Sequence, residues 1–263
     1  MNNLERKMLF LLKKLKDEVG VISVKAEFEA EGTRIDELYR LIDISRKAGL
    51  KIAIKIGGCE AIKDLMESKQ IGVDYVIAPM IESAYALSKF IDAKNKVYDQ
   101  NEKEDTDFLF NIETITGFQN LEDIINRASN NLNGLVFGRV DFSLSLGLSR
   151  NDIAQEVVTD YVKAVASKTK QANLDFIVGG AVSIDTLQSL KEIYAINLDR
   201  FETRKIIFDA NTLTRKEVEQ GLIDAVHFEI LWLINKREYY KSITNEDNSR
   251  VAYLEKRWGM LGQ

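Results

Sequence analysis

Histidine, cysteine and proline occur once each in this 263-residue chain, as His227, Cys59 and Pro79. A single cysteine excludes an internal disulfide and fits a reducing, cytoplasmic setting. A single histidine leaves histidine general-base and zinc-cluster chemistry almost nothing to work with. With one proline and no Pro- or Gly-rich linker, the chain is expected to form one domain rather than several. Charge of one sign is also lacking: 36 basic residues face 41 acidic ones, a formal net charge of −5. No basic block stands out, which argues against a nucleic-acid partner. Long apolar runs are absent too. The run Met8 to Leu12 is flanked by charges, is too short to span a bilayer and precedes no small-residue cleavage site. It is expected to be an amphipathic helix, with no membrane partner.

What is present is an alternation of strand-like and helix-like segments. Hydrophobic residues make up 45% of the chain, enough for one substantial core. Strand-like runs rich in Val, Ile or Phe are Gly20–Glu29, Leu50–Gly57, Val73–Met80, Thr106–Thr114, Gly134–Asp141, Leu174–Val182 and Arg200–Asp209. Each is followed by a helix-length segment, with Thr33, Ser83 and Ser183 as expected helix caps. Repeated β–α units imply a parallel sheet with helices outside it. The expected fold is α/β, a (β/α)8-type TIM barrel. Only seven strands are evident, so one is hidden or the first unit is reduced to the N-terminal helix. The barrel is expected to span residues 1–240. Residues 241–263 form a polar stretch and then a short helix whose Tyr253 and Trp258 dock on the barrel or a partner subunit, or fray.

Strand alternation separates the faces. The first run sets Ile22, Val24, Ala26 and Phe28 against Ser23, Lys25, Glu27 and Glu29. The second sets Ile52, Ile54 and Ile56 against Lys51, Ala53 and Lys55. The fourth offers Asn111 and Glu113 opposite Phe108, Phe110 and Ile112, and the fifth offers Arg139 and Asp141 opposite Val136 and Val140. With the apolar faces against helices, the expected interior holds Lys25, Glu27, Glu29, Lys51, Lys55, Asn111, Glu113, Arg139 and Asp141. Buried charges must pair, bind a metal or face a wet pocket. For Lys25 and Lys51, low in the barrel, a structural network is expected. For Glu29, Lys55, Glu113 and Asp141, at strand ends, a functional site is expected, because barrel sites lie at that edge. Glu113 and Asp141 are 28 residues apart (141 − 113), about one strand–helix–strand unit. Two neighbouring carboxylates there suit a hard divalent cation.

The segments Ile77–Ala84, Asn111-Ile112-Glu113-Thr114 with Gly117, and Phe137–Gly147 resemble the HpcH/HpaI aldolase and citrate lyase β-subunit family, over roughly Val21 to Asp209. The resemblance implies a phosphoenolpyruvate/pyruvate-type barrel. It implies carbon–carbon bond making or breaking beside a 2-oxo acid or acyl-CoA with Mg²⁺ or Mn²⁺, and a homo-oligomer. It also implies Glu113 and Asp141 as metal ligands, and Gly138 and Val140 as backbone contacts to the substrate carboxylate. Two departures stand out. Ala30 occupies the family's catalytic histidine position, and Lys55 replaces its oxo-acid-binding arginine, keeping the charge but losing the bidentate fork. The expected roles are then charge neutralisation by Lys55 and Arg139, with proton transfer by Glu29 or a metal-bound water. Two alternatives stay open: a barrel that binds an oxo-acid or serves as a subunit without turnover, and a Schiff-base aldolase using Lys55 or Lys25. Gly57-Gly58 lacks the spacing of a phosphate fingerprint. Cys59 and His227 are expected to be structural, and the face Val226, Ile230, Leu233 and Ile234 to pack on the barrel.

Overall fold

The seven strand-like runs become eight strands, because the last of them folds back on itself. The computed structural model describes residues 1–261. Its strands are β1 (Val21–Glu27), β2 (Lys51–Lys55), β3 (Tyr75–Ala78), β4 (Asp107–Ile112), β5 (Gly134–Gly138), β6 (Asp175–Gly179), β7 (Arg200–Glu202) and β8 (Ile206–Asp209), closed into one barrel in sequence order. From β1 to β7 all neighbours are parallel, whereas β8 runs antiparallel to both β7 and β1. The cause is the link Thr203-Arg204-Lys205. It is far shorter than the dozen or so residues a parallel crossover needs, so only a hairpin can form. The missing helix therefore lies between β7 and β8. The first unit is not reduced.

The helices are α1 (Asn3–Lys14), α2 (Ile35–Lys47), α3 (Ile62–Ile71), α4 (Ala84–Val97), α5 (Ile115–Gln119), α6 (Leu121–Ala128), α7 (Arg139–Ser145), α8 (Glu156–Ala172), α9 (Leu187–Tyr194) and α10 (Val218–Leu261). Ser83 caps α4 by accepting the Ala86 N–H, and Ser183 opens the turn before α9 in a reciprocal capping box. Thr33 does not cap α2. Arg34 takes that position without a side-chain bond, and the Thr33 hydroxyl donates to Glu31.

Two cores result. The outward strand faces and the helices share a large one, including Val24, Ile54, Phe110, Phe137 and Phe208. The barrel interior holds a smaller apolar plug of Ile22, Ala53, Tyr75, Ile77, Leu109, Val136, Ile177 and Ile207. This corrects two face assignments. Ile22 turns inward beside an irregularity in the β1–β8 pairing between Val21 and Ser23, and Val136 points inward rather than at the helices. At the amino-terminal rim, aspartate and asparagine side chains start the strands. Asp74 accepts the Ile52 N–H, Asn133 the Phe108 N–H and Asp199 the Phe176 N–H. Lys51 is exposed on this rim, its ammonium 5.1 Å from the centre of the Tyr75 ring, and is not an interior residue.

The polar stretch after Tyr240 is not a loop. It continues α10, and every residue from 241 to 260 is exposed, including Tyr253 and Trp258, so this part does not dock on the barrel. Residues 262 and 263 lie outside the described residues. The buried face of α10 is Leu222, Ala225, Phe228, Leu231 and Trp232. Val226, Ile230 and Leu233 are exposed, contrary to the packing expected of them. Among the described residues no helix is long and apolar enough to cross a membrane.

Candidate active site

At the carboxyl edge of the parallel strands the apolar plug gives way to charge. Glu113 follows β4 and is 2% exposed. Its Oε1 accepts the backbone N–H of Met80 at 3.0 Å, and its Oε2 accepts the Asn111 amide at 2.8 Å. Met80 reaches it with φ 49°, a conformation a non-glycine residue rarely holds without surrounding support. That support comes from the turn itself: Ile81 N–H donates to the Asn111 carbonyl, and Thr114 and Asn120 donate to Glu82.

Lys55 ends β2, directly opposite Glu27 of β1. Its ammonium lies 3.3 and 3.4 Å from the two Glu113 oxygens and 2.7 Å from Glu29 Oε2. Burial alone would lower the Lys55 pKa, but the Glu113 and Glu29 carboxylates outweigh it and hold it above the ordinary lysine value. Deeper in, Lys25 pairs with Glu27 at 3.2 Å and with Glu202 of β7. It is raised as well, burial being overcome by Glu202 and Glu27. A Schiff-base mechanism needs a neutral amine, so both shifts run against it. The β7–β8 turn adds Arg204 and Lys205, which both pair with Glu31 in the loop after β1. Ala30, between Glu29 and Glu31, is exposed, and His227 is exposed on α10 beside Arg6, Phe10 and Leu231 of the outer surface. No histidine reaches the site.

Alternation fails after β5. That strand ends at Gly138, and the chain turns at once into α7, changing the side-chain period from 2 to 3.6. Arg139 and Asp141 therefore part company. Arg139 is 2% exposed and donates through Nε to the carbonyls of Gly179 and Gly180 at 3.3 and 3.1 Å. Its Nη2 has no partner, and desolvation lowers its pKa to about 10. It does not share the face of Asp141. Asp141 stands in the first turn of α7, exposed, with no hydrogen bond or ion pair among the described residues. Desolvation and the Glu113 charge raise its pKa. The two acids are thus electrostatic neighbours. α7 is fixed by Phe142, packed against Phe137 at 4.7 Å, Tyr161 at 5.1 Å and Phe118 at 6.2 Å, and by the Ser145 hydroxyl, which accepts the Ile115 N–H.

Two glycines make the site possible. A Cβ on Gly138 would fall 2.6 Å from Glu113 Oε2, so only glycine leaves room for that carboxylate. Gly180, at φ 85°, brings its backbone against the start of α7; a Cβ there would lie 2.8 Å from the Val140 nitrogen.

The structure thus brings together Glu29, Lys55, Asn111 and Glu113, sets Asp141 on α7 within electrostatic reach of Glu113 and Lys55, holds the Val140 backbone against Gly180, and turns Arg139 away. Sequence reasoning did not place Glu202, Lys205 or Glu31 here. The signal available was the shared face of Arg200 and Glu202, obscured by the hidden hairpin. No group of three or more His, Cys, Asp or Glu side chains among the described residues is arranged to hold a metal. Glu113 and Asp141 are two hard oxygen donors, one of them unpartnered and raised in pKa by desolvation and, after it, by the other. A divalent cation that takes its remaining ligands from water or substrate fits this donor set.

The family model described as HpcH/HpaI aldolase/citrate lyase matches residues 22–195. No curated protein sequence matches the chain. Among solved structures, an HpcH/HpaI aldolase from Desulfitobacterium hafniense DCB-2 aligns with TM-score 0.59 and 14% identity, covering 77% of this chain and 83% of its own. The citrate synthase SbnG aligns with TM-score 0.60 and 15% identity, covering 74% and 81%. An HpcH/HpaI aldolase/citrate lyase family protein from Burkholderia cenocepacia J2315 aligns with TM-score 0.59 and 14% identity, covering 89% and 99%. At these identities the structures show a shared fold.

Proposed function

The chain belongs to the HpcH/HpaI aldolase/citrate lyase family, and on that premise we propose that it is a carbon–carbon lyase. Its substrate is a 2-oxo acid, an acyl-CoA or a related carboxylate, and its cofactor is Mg²⁺ or Mn²⁺ held by Glu113 and Asp141. The observation that carries this reading is the unpartnered Asp141 carboxylate, raised in pKa beside the sealed carboxylate of Glu113. The cation would supply Lewis-acid stabilisation of the negative charge that develops on the oxo oxygen as the carbon–carbon bond breaks.

The chain's own residues do the rest. The Lys55 ammonium offsets negative charge at the mouth. Glu29, whose Oε2 is ion-paired with the Lys55 ammonium at 2.7 Å, takes and returns the proton. Gly138 admits the Glu113 carboxylate, and the backbone from Gly138 to Val140 lines the substrate carboxylate. Arg139 serves from a distance, tying the end of β6 to α7. The protein is a homo-oligomer in this reading, supported by exposed Val251, Leu254 and Trp258 on α10.

The test is turnover of a panel of 2-oxo acids and hydroxy-oxo acids with Mn²⁺ present. EDTA should abolish it, and Glu113→Gln should lower kcat on the order of 10²–10³-fold. Activity that survives both excludes the metal mechanism. The exposed Ala30 at the family's histidine position favours a second reading, a barrel that binds oxo-acids without turnover. Mn²⁺-dependent oxalate binding with no turnover of any panel member would select it.

A further inference from the structure

Lys55 stands where a cation chelated by Glu113 would stand. Its Nζ is 3.3 Å from Oε1 and 3.4 Å from Oε2, nearly equidistant, and so close to the plane that bisects the carboxylate. The remaining acceptor capacity of Glu113 is engaged by the Met80 N–H and the Asn111 amide. A divalent ion bound by both oxygens and the Lys55 ammonium cannot hold that place together. From these contacts we infer that Lys55 is a tethered counter-cation that competes with the divalent metal for Glu113. The inference rests on the metal reading proposed above.

The geometry supplies somewhere for the ammonium to go. Glu29 Oε2 already lies 2.7 Å from Nζ. When the metal arrives, Lys55 keeps Glu29 and gives up Glu113, and the N–H donors it releases face an incoming carboxylate. Metal entry and anion entry are thereby coupled through one side chain. Lysine suits the part better than arginine, because a compact ammonium on a flexible stem can sit between two carboxylates and leave one of them, whereas a planar fork binds one bidentately.

The experiment uses the full chain and Mn²⁺ alone, with no oxo-acid, reading free Mn²⁺ by electron paramagnetic resonance. Lys55→Met should tighten Mn²⁺ binding at least tenfold. Arg204→Gln removes the same charge from the half-exposed rim, where it pairs with Glu31 and not with Glu113, and should change binding less than threefold. Lys55→Gln gives the same reading if the methionine variant does not fold, and circular dichroism reports folding for each. Wild-type binding with unchanged or weaker binding in both Lys55 variants overturns the competition and leaves the metal reading standing. Binding seen only after Lys55 is replaced supports both. No Mn²⁺ binding by the wild type or by either Lys55 variant overturns both.

Discussion

Residue 138 and Glu113 share a space that holds only one side chain: a Cβ at position 138 would lie 2.6 Å from Glu113 Oε2 and 2.9 Å from Glu113 Cβ. The glycine ends β5 and the glutamate follows β4, so the pair sits where two neighbouring parallel strands run out. Gly138→Ala must push the carboxylate off the Met80 N–H and the Asn111 amide or shift a strand end. Overpacking of this kind costs about 1–3 kcal/mol. We expect Mn²⁺ affinity to fall at least tenfold in Gly138→Ala, measured by calorimetric titration, with the chain still folded in urea melts. Wild-type affinity in this variant would remove Glu113 from the metal site.

Asp141 gives a pH signature. Its folded pKa is raised above the ordinary 3.8 by desolvation and by Glu113. A raised carboxylate binds its proton more tightly in the folded state, so its contribution to stability declines as pH rises from 3.8 through the folded value. At pH 7 the charge is therefore a liability to the metal-free fold. Asp141→Asn should raise Tm at pH 7 by about 1–3 °C, a small shift because an exposed carboxylate is screened. The gain should vanish near pH 3. Saturating Mn²⁺ should stabilise the wild type and not this variant. Calorimetric scans at both pH values decide it, and a lower Tm for Asp141→Asn at pH 7 would contradict the assignment.

Arg139 separates packing from charge. Its guanidinium is buried with no carboxylate beside it; its Nε donates to two carbonyls and its Nη2 has no partner. Replacing a buried charge with an apolar side chain of similar volume is often neutral or better, while losing two hydrogen bonds to carbonyls works the other way. These nearly cancel, so Arg139→Met should stay within about 1 kcal/mol of wild type in urea unfolding. Arg139→Ala adds a cavity under α7 and should cost about 3–5 kcal/mol. Equal losses in the two variants would mean that the charge itself holds the fold.

How far the sequence foretold these features depends on periodicity. Lys25, Glu27, Lys55, Asn111 and Glu113 were legible because each lies on or just past a stretch of regular alternation, which on β1 resumes after the irregularity at Ile22. Arg139 and Asp141 were misplaced together because the period changes at Gly138 with no proline or cap to mark it. The eighth strand was invisible for a related reason: the turn Thr203-Arg204-Lys205 contains no Gly, Asn, Asp or Pro, the residues that usually announce a hairpin. Residues 241–249 look like a loop by polarity, yet no glycine or proline interrupts the chain between Gly221 and Gly259, and a polar helix forms.

Lys25 tests whether the inner charges hold the barrel rather than the chemistry. It ties β1 to β7 through Glu202 and also neutralises Glu27 on its own strand. Lys25→Met leaves two buried carboxylates facing each other, and breaking a buried pair from one side costs about 3–5 kcal/mol. The pH dependence has a definite sign. Burial would raise the Glu27 pKa, but Lys25 and Lys55 overcome it and bring it below the ordinary 4.5. Its contribution is thus fully present above pH 4.5 and is lost as pH falls through the lower folded value. In Lys25→Met that depression is weakened, so the variant should lie far below wild type at pH 7 and approach it near pH 3. Urea unfolding across this range should show the two curves converging in acid. A constant gap would mean that Lys25 contributes packing of its stem and not its charge.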